Sequence, residues 1–166
     1  MSDGNLPADV IALARRVVEA NAKIGRTVTL AESCTGGLVA AALTEIPGSS
    51  AVLERGFVTY SNEAKVETLG VATDIIETFG AVSIACAWAM AQGALAHSKA
   101  DVAVAVSGVA GPSGGTDLKP VGTVVFARAI KGEDCKQEGD MQRFGDLGRA
   151  EIRRQAALVA LELLLP

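Results

Sequence analysis

The spacing of apolar residues along the chain predicts helices that alternate with strands. Over residues 7–23 the apolar positions recur every three or four residues, which is typical of an amphipathic helix. The run TVTLA at residues 27–31 is rich in β-branched side chains and predicts a buried strand. The run DVAVAVS at residues 101–107 alternates small and branched residues and predicts a second strand.

The same signals predict the remaining elements of the chain. Further helices are expected at residues 34–45, 62–69, 74–79, 83–97 and 151–164. Further strands are expected at residues 51–60, 121–130 and 135–144, with a loop at 108–120 and a turn at 131–134. Because helices separate the early strands and a hairpin joins the last two, we predict an α/β fold. It is a single-domain, three-layer α/β/α sandwich over residues 1–166, with a mixed, mostly parallel sheet.

Composition and charge narrow the possible partners. The 166 residues are 49% hydrophobic and 20% charged, which suits one domain with a sizeable core. The formal net charge is -4 and there is no basic block, so we expect no nucleic-acid partner. The most apolar stretch, residues 84–96, is too short to cross a bilayer, and the N-terminus does not resemble a signal peptide. We therefore expect no membrane partner and a cytoplasmic location. Exposed strands and small-residue helices are compatible with a homodimer.

The histidine and cysteine residues do not form a metal-binding pattern. The one histidine, His97, is expected at the end of a helix, where it would cap the last turn. Three cysteines, Cys34, Cys86 and Cys135, lie far apart without CxxC spacing, which argues against a disulfide scaffold and a zinc site. We expect reduced thiols, no metal and no cofactor.

The first candidate for chemistry is the motif AESCTGG, in which a strand ends and a helix is predicted to begin. Ser33 would stand at the carboxyl edge of the sheet, where open α/β sheets bind ligands. The N–H groups of Thr35, Gly36 and Gly37 would face the same point and hold an oxyanion or a phosphate. Cys34 competes with Ser33 as the nucleophile, because a helix N-terminus favours a thiolate. The motif is also compatible with a helix cap and tight packing alone.

The second candidate, GFVTYSNEAK, places Tyr60 at a strand end and Lys65 one turn into a helix. If this edge adjoins Ser33, a buried Lys65 of lowered pKa can accept the serine proton, and Tyr60 can relay that proton or orient the amine. The alternative is a solvated lysine beside a packed tyrosine.

The third candidate is the glycine-rich stretch SGVAGPSGG, which offers Ser107, Gly108 and Gly111 to an anion or a ribose. Arg149, just before the last helix, would pair with a phosphate. An ordinary connection and a solvated arginine are the alternatives.

Taken together, these segments resemble the CinA C-terminal domain family. The resemblance is carried by AESCTGG, GSSAVLERGFVTYSNEAK, GAVS, SGVAGPSGG followed by KPVGTV, and RRQA, and it covers about residues 7–164. It implies a nicotinamide-nucleotide amidohydrolase, or NMN deamidase, that converts nicotinamide mononucleotide and water to nicotinate mononucleotide and ammonia. Some relatives carry an additional N-terminal domain resembling molybdopterin-binding proteins. The 166 residues leave no room for it, so its pyrophosphatase activity is not expected.

The resemblance also implies roles for individual residues. It assigns the nucleophile to Ser33, and its tyrosine and lysine fall on Tyr60 and Lys65. The arginine on the phosphate side falls on Arg149, although relatives often read Gly-Asp-Arg where this chain reads GDLGR. Two other functions stay open: a non-catalytic nucleotide-binding or regulatory module, and an amidase or esterase acting on another small molecule.

Overall fold

Each predicted helix and strand has a counterpart in the computed structural model, which describes residues 4–133 and 136–166. The helices are α1 (Ala8–Ile24), α2 (Leu38–Thr44), α3 (Asn62–Leu69), α4 (Thr73–Phe79), α5 (Ile84–Ala96) and α6 (Arg149–Leu163), with a short 3-10 helix at Ser49–Ala51. The strands are β1 (Val28–Glu32), β2 (Leu53–Val58), β3 (Val102–Gly108), β4 (Thr123–Ile130) and β5 (Glu138–Arg143). Cys135 and the end of the predicted turn at 131–134 lie outside the described residues.

The strands form one mixed sheet in the order β2-β1-β3-β4-β5. Strand β1 pairs in parallel with β2 and β3, whereas β4 pairs antiparallel with β3 and β5. Four strands of this sheet therefore run in one direction and β4 runs against them. The predicted fold class, a single-domain α/β sandwich with a mixed, mostly parallel sheet, is confirmed. The carboxyl ends of β1, β2 and β3 meet at one edge.

Helices cover both faces of the sheet, and the strand sequences show why. In β3 the valines at 102, 104 and 106 pack in the core formed with α1, α2 and α6. The alternate alanines, at 103 and 105, pack in a second core against the alanine-rich helix α5. Successive strand residues point to opposite faces, so the valines cover one face of β3 and the alanines cover the other. The larger valines pack with α1, α2 and α6, and the smaller alanines pack with α5. The small residues of α5 also let it lie close to α3. A Cβ added at Gly93 would lie 2.1 Å from the carbonyl oxygen of Leu69 in α3.

Helix α2 begins four residues later than predicted, so the sequence-based start at residue 34 is wrong. Gly36 and Gly37 have φ angles of 58° and 97°, which lie in the left-handed region that glycine adopts readily and a right-handed helix excludes. Residues 33–37 therefore form a turn between β1 and α2. We call this segment the nucleophile turn, after the sequence-based expectation that Ser33 is the nucleophile.

His97 does not lie at the carboxyl edge of the sheet. It directly follows α5, and its Nδ1 lies 2.8 Å from the carbonyl oxygen of Gly93. The end of α5 leads directly into the start of β3, so His97 lies at the edge opposite the one where β1, β2 and β3 end.

Candidate active site

A crevice of about 300 Å³ opens at the carboxyl ends of β1, β2 and β3. Most of the residues that the sequence suggested for chemistry line it: Ser33, Cys34, Tyr60, Lys65, Gly111 and Arg149. They come from four separate segments of the chain. The parallel pairing of β1 with β2 and β3 brings the ends of these strands together, and Arg149 comes from the start of α6. This volume lies at the small end of the range for small-molecule sites.

Lys65 is buried beneath the crevice, and its amine contacts Ser33. Only 1% of the residue is exposed, and Nζ lies 3.0 Å from Ser33 Oγ. The amine also donates to the carbonyl oxygens of Thr59 at 2.9 Å and Tyr60 at 3.0 Å. Helix α3 explains this placement: Ser61 caps it by accepting from the Ala64 N–H, and a lysine one turn in points back toward the N-terminus.

Burial lowers the pKa of the Lys65 amine below its usual 10.5, because the charged form loses its hydration. Within the described residues, the hydrogen-bond acceptors of Nζ are the Ser33 hydroxyl and backbone carbonyl oxygens, with no carboxylate among them. The amine is therefore suited to accept and return a proton.

Ser33 is held from both sides of β1. Its N–H donates to the Val106 carbonyl oxygen of β3 at 2.9 Å, and the residue is 7% exposed. Its Oγ lies 3.4 Å from the Tyr60 carbonyl oxygen. The hydroxyl thus faces the crevice from a position fixed by two neighbouring strand ends.

The N–H groups of the nucleophile turn differ from the sequence-based expectation. Thr35, Gly36 and Gly37 do not line the crevice, and the Gly36 N–H donates to the Ser33 carbonyl oxygen at 2.9 Å. Within residues 4–133 and 136–166, the N–H groups of Cys34, Thr35 and Gly37 have no oxygen acceptor. Cys34 is the residue of these three that lines the crevice.

Cys34 is in a poor environment for a nucleophile. It is 5% exposed, and burial raises the pKa of its thiol to about 12, so the thiol is protonated near neutral pH. The sequence suggested a thiolate favoured by a helix N-terminus. That expectation is corrected, because α2 begins at Leu38 and the thiol lies among core residues instead. Cys86 is also buried and forms no disulfide with the other cysteine that the structure describes.

We expect Cys34→Ala to keep most of the wild-type rate, because the substitution removes a protonated thiol and leaves the backbone N–H in place. Turnover measured beside far-UV circular dichroism checks this. Complete loss of activity in a folded variant would make the thiol the nucleophile.

Tyr60 and Arg149 form a bridge across the mouth of the crevice. The Arg149 guanidinium donates to Tyr60 Oη at 3.0 Å and to the Gly111 carbonyl oxygen at 2.7 Å. Tyr60 is 58% exposed, and it contacts the Lys65 amine through its carbonyl rather than its phenol. Tyr60 therefore contacts the Lys65 amine through its main chain and Arg149 through its side chain.

The glycine-rich loop forms the far wall of the crevice. Ser107 and Gly108 end β3 and line the crevice together with Gly111. The Ser107 hydroxyl donates to the Ala81 carbonyl oxygen at 3.0 Å, which fixes the segment before α5.

Within the glycine-rich stretch, Val109, Ala110, Ser113 and Gly114 also line the crevice. Outside it, three lining residues were not singled out by sequence reasoning: Asn62, Ala81 and Val82. The last two lie in the GAVS motif, whose apolar residues carry no chemical signal. Asn62 lies within the candidate motif GFVTYSNEAK, so its place at the start of α3 was the available signal.

Across the described part of the chain, no group of three or more His, Cys, Asp and Glu side chains is placed to hold a metal ion. Among the same residues, no helix combines the length and apolar character that crossing a membrane requires.

Comparisons with known proteins agree on one family. A family model described as the CinA C-terminal domain matches residues 10–166. The chain is 49% identical over 160 residues to the nicotinamide-nucleotide amidohydrolase PncC of Escherichia coli (strain K12), covering 95% of this chain and 93% of that protein. It is 50% identical over 153 residues to a CinA-like protein of Syntrophotalea carbinolica, covering 92% of this chain and 36% of that protein.

The chain therefore spans nearly all of some curated relatives and only a part of others, as little as 26% of one. Among solved structures, the competence/damage inducible protein CihA from Agrobacterium tumefaciens superposes with a TM-score of 0.92 at 51% identity. That match covers 97% of this chain and 96% of the other.

Proposed function

The chain belongs to the CinA C-terminal domain family, and from this premise we propose that it is a nicotinamide-nucleotide amidohydrolase. It converts nicotinamide mononucleotide and water to nicotinate mononucleotide and ammonia. Relatives named for this activity match at 49% and 54% identity over most of the chain. The structural observation that carries the proposal is the buried Lys65 amine 3.0 Å from Ser33 Oγ at the base of the crevice.

The contacts of Lys65 suit a general base. A neutral amine has two N–H groups and one lone pair. The carbonyl oxygens of Thr59 and Tyr60, at 2.9 and 3.0 Å, accept the two N–H groups and leave the lone pair for the Ser33 hydroxyl proton. Burial lowers the pKa of the amine and so favours this neutral state.

The reaction proceeds in two stages. Ser33 Oγ attacks the carboxamide carbon while Lys65 takes its proton, and the carbonyl oxygen becomes an oxyanion. The Cys34 N–H, adjacent to the nucleophile and lining the crevice, is the donor that we assign to that oxyanion, since the Gly36 N–H is already bonded. Lys65 then protonates the departing ammonia, and water hydrolyses the ester to the carboxylate and restores Ser33.

The phosphate of the substrate lies at the mouth of the crevice, against Arg149 and the glycine-rich loop. The guanidinium presents a fork of N–H groups that suits phosphate oxygens, and its contacts with Tyr60 and Gly111 hold it at the rim. Tyr60 thereby positions the arginine.

The direct test is ammonia release from nicotinamide mononucleotide in the presence of EDTA, with nicotinate mononucleotide identified by chromatography. Nicotinamide riboside and nicotinamide are the matched substrates that lack the phosphate. We expect release from the mononucleotide and much less from the other two. Tight binding of the mononucleotide by calorimetry without ammonia release would instead favour the binding module, and equal turnover of all three would favour a less specific amidase.

Arg149→Met is expected to raise KM for nicotinamide mononucleotide by about 10- to 100-fold, the equivalent of one lost charge-assisted hydrogen bond. Turnover of nicotinamide riboside should be unchanged, because that substrate has no phosphate. Steady-state kinetics with both substrates measure KM and turnover. Arg154→Met, on the same helix but bonded to Asp9 and Glu151, is the control. An unchanged KM in the Arg149 variant would place the phosphate elsewhere.

A further inference from the structure

Two charged side chains hold the nucleophile turn from outside the crevice. Glu32 is the last residue of β1, and Arg153 lies on α6, far away in the sequence. Neither residue lines the crevice, so neither is placed to contact the substrate. Their contacts hold the nucleophile turn, residues 33–37, and the start of α2.

Glu32 connects the turn to the first residues of α2. The residue is 1% exposed, and its carboxylate accepts from Thr35 Oγ1 at 2.7 Å. It also accepts from the N–H groups of Val39 at 3.0 Å and Ala40 at 3.1 Å. A buried carboxylate is costly unless it is fully hydrogen-bonded, and here the N-terminus of a helix and a hydroxyl satisfy it.

Arg153 holds the other side of the turn. Its Nε donates to the Cys34 carbonyl oxygen at 3.1 Å, and its Nη2 donates to the Thr35 carbonyl oxygen at 3.0 Å. In a trans peptide the N–H points opposite to the carbonyl oxygen of the same plane. Arg153 therefore fixes the orientation of both planes and directs the N–H groups of Thr35 and Gly36 away from α6.

We propose, resting on the proposed function, that Glu32 and Arg153 are positioning residues that fix the nucleophile turn and so keep Ser33 Oγ within reach of the Lys65 amine. Glu32 adjoins Ser33 directly, and its carboxylate prevents the turn from moving away from α2. Arg153 prevents the two peptide planes from rotating. Loss of either constraint lets Ser33 Oγ move away from the Lys65 amine. A displacement of a reacting group by about 1 Å costs about 10²-fold in rate.

Arg153→Met tests the proposal, with Arg154→Met on the next position of α6 as the matched control. A fluorophosphonate probe measures the labelling rate of Ser33 by intact mass and peptide mapping, and steady-state kinetics give kcat and KM for nicotinamide mononucleotide. We expect the Arg153 variant to lose about 10²-fold in both labelling rate and kcat with KM unchanged. Arg153→Lys should recover only part, because one ammonium replaces a planar fork. The Arg154 variant should match wild type.

Glu32→Gln, with Glu151→Gln as the control, tests the other constraint. A positioning role lowers the plateau of the labelling rate against pH without moving its midpoint. A shifted midpoint at an unchanged plateau would show that the charge acts on Lys65 instead, and would overturn the proposal for Glu32. If this buried variant fails to fold, Arg153→Met decides the question.

The labelling assay separates this inference from the proposed function. Wild type that is labelled at Ser33 but releases no ammonia would refute the activity and leave the positioning measurable. Wild-type labelling rates in a folded Arg153→Met variant would overturn the inference, as would a raised KM with unchanged kcat. An unlabelled Ser33 in wild type would also overturn it, because there would be no nucleophile to position.

Discussion

Replacing Ser33 by alanine is expected to remove ammonia release from nicotinamide mononucleotide. Loss of the nucleophile in a serine hydrolase lowers kcat by about 10⁴- to 10⁶-fold, and the remainder comes from binding and oxyanion stabilisation. The crevice keeps its shape without one hydroxyl, so calorimetry should give a Kd for the mononucleotide close to that of wild type.

Ser49→Ala is the matched control for Ser33→Ala, since Ser49 lies in the short 3-10 helix away from the crevice. Ammonia release at a substantial rate by a folded Ser33→Ala variant would contradict the assignment of the nucleophile. The double variant with Cys34→Ala would then show whether the neighbouring thiol had replaced the hydroxyl.

Replacing Lys65 by methionine is expected to lower turnover by about 10²- to 10⁴-fold, the range for loss of a general acid–base. Methionine keeps the length and apolar stem of the side chain and removes the amine that contacts Ser33 at 3.0 Å. Wild-type turnover should rise with pH through the lowered pKa of Lys65 and then level off, because the neutral amine is the active form. That rise should be absent in the variant.

Lys65→Arg separates the base from the positive charge, because a guanidinium does not lose its proton in proteins. We expect it to be as inactive as Lys65→Met. Wild-type turnover by either folded variant would overturn the assignment of Lys65 as the base.

The same lowered pKa makes stability depend on pH. Burial holds the pKa of folded Lys65 below the value near 10.5 of the unfolded chain, so the unfolded state binds more protons between the two values. The free energy of unfolding of wild type, relative to Lys65→Met, should therefore rise with pH across that window. Below the folded pKa the difference should be independent of pH. Urea denaturation over a pH series measures it.

Helix and strand positions were predictable wherever the local pattern was strong. Helix α3 was predicted at residues 62–69, and the structure has it at Asn62–Leu69, since Ser61 and Gly70 delimit it locally. The start of α2 was placed too early because its small apolar residues suit a helix. The backbone conformation of Gly36 and Gly37 decided otherwise, and the glycine pair was the signal available in the sequence.

Neither the protonation state of the Cys34 thiol nor the contacts of Arg153 could be predicted from the sequence. A thiolate at Cys34 required a helix N-terminus at that residue and a solvent-exposed thiol. Helix α2 begins four residues further on, and Cys34 is buried. Arg153 lies in the RRQA segment that carries the family resemblance, but its contacts with the nucleophile turn could not be predicted, because they join residues 118 and 119 positions apart. Both outcomes depend on how α2 and α6 pack against the sheet.

The sequence by itself determined the alternation of helices and strands, the α/β fold class and the motifs that carry the family resemblance, because each follows from local spacing and residue type. The tertiary structure decided the environment of Lys65. Its amine meets Ser33 only because β1 and β2 pair in parallel and end at the same edge. Its carbonyl partners, Thr59 and Tyr60, are near it in the sequence, but Ser33 is 32 positions away. Its lowered pKa arises from burial, because desolvation depends on everything packed around a group rather than on its neighbours along the chain.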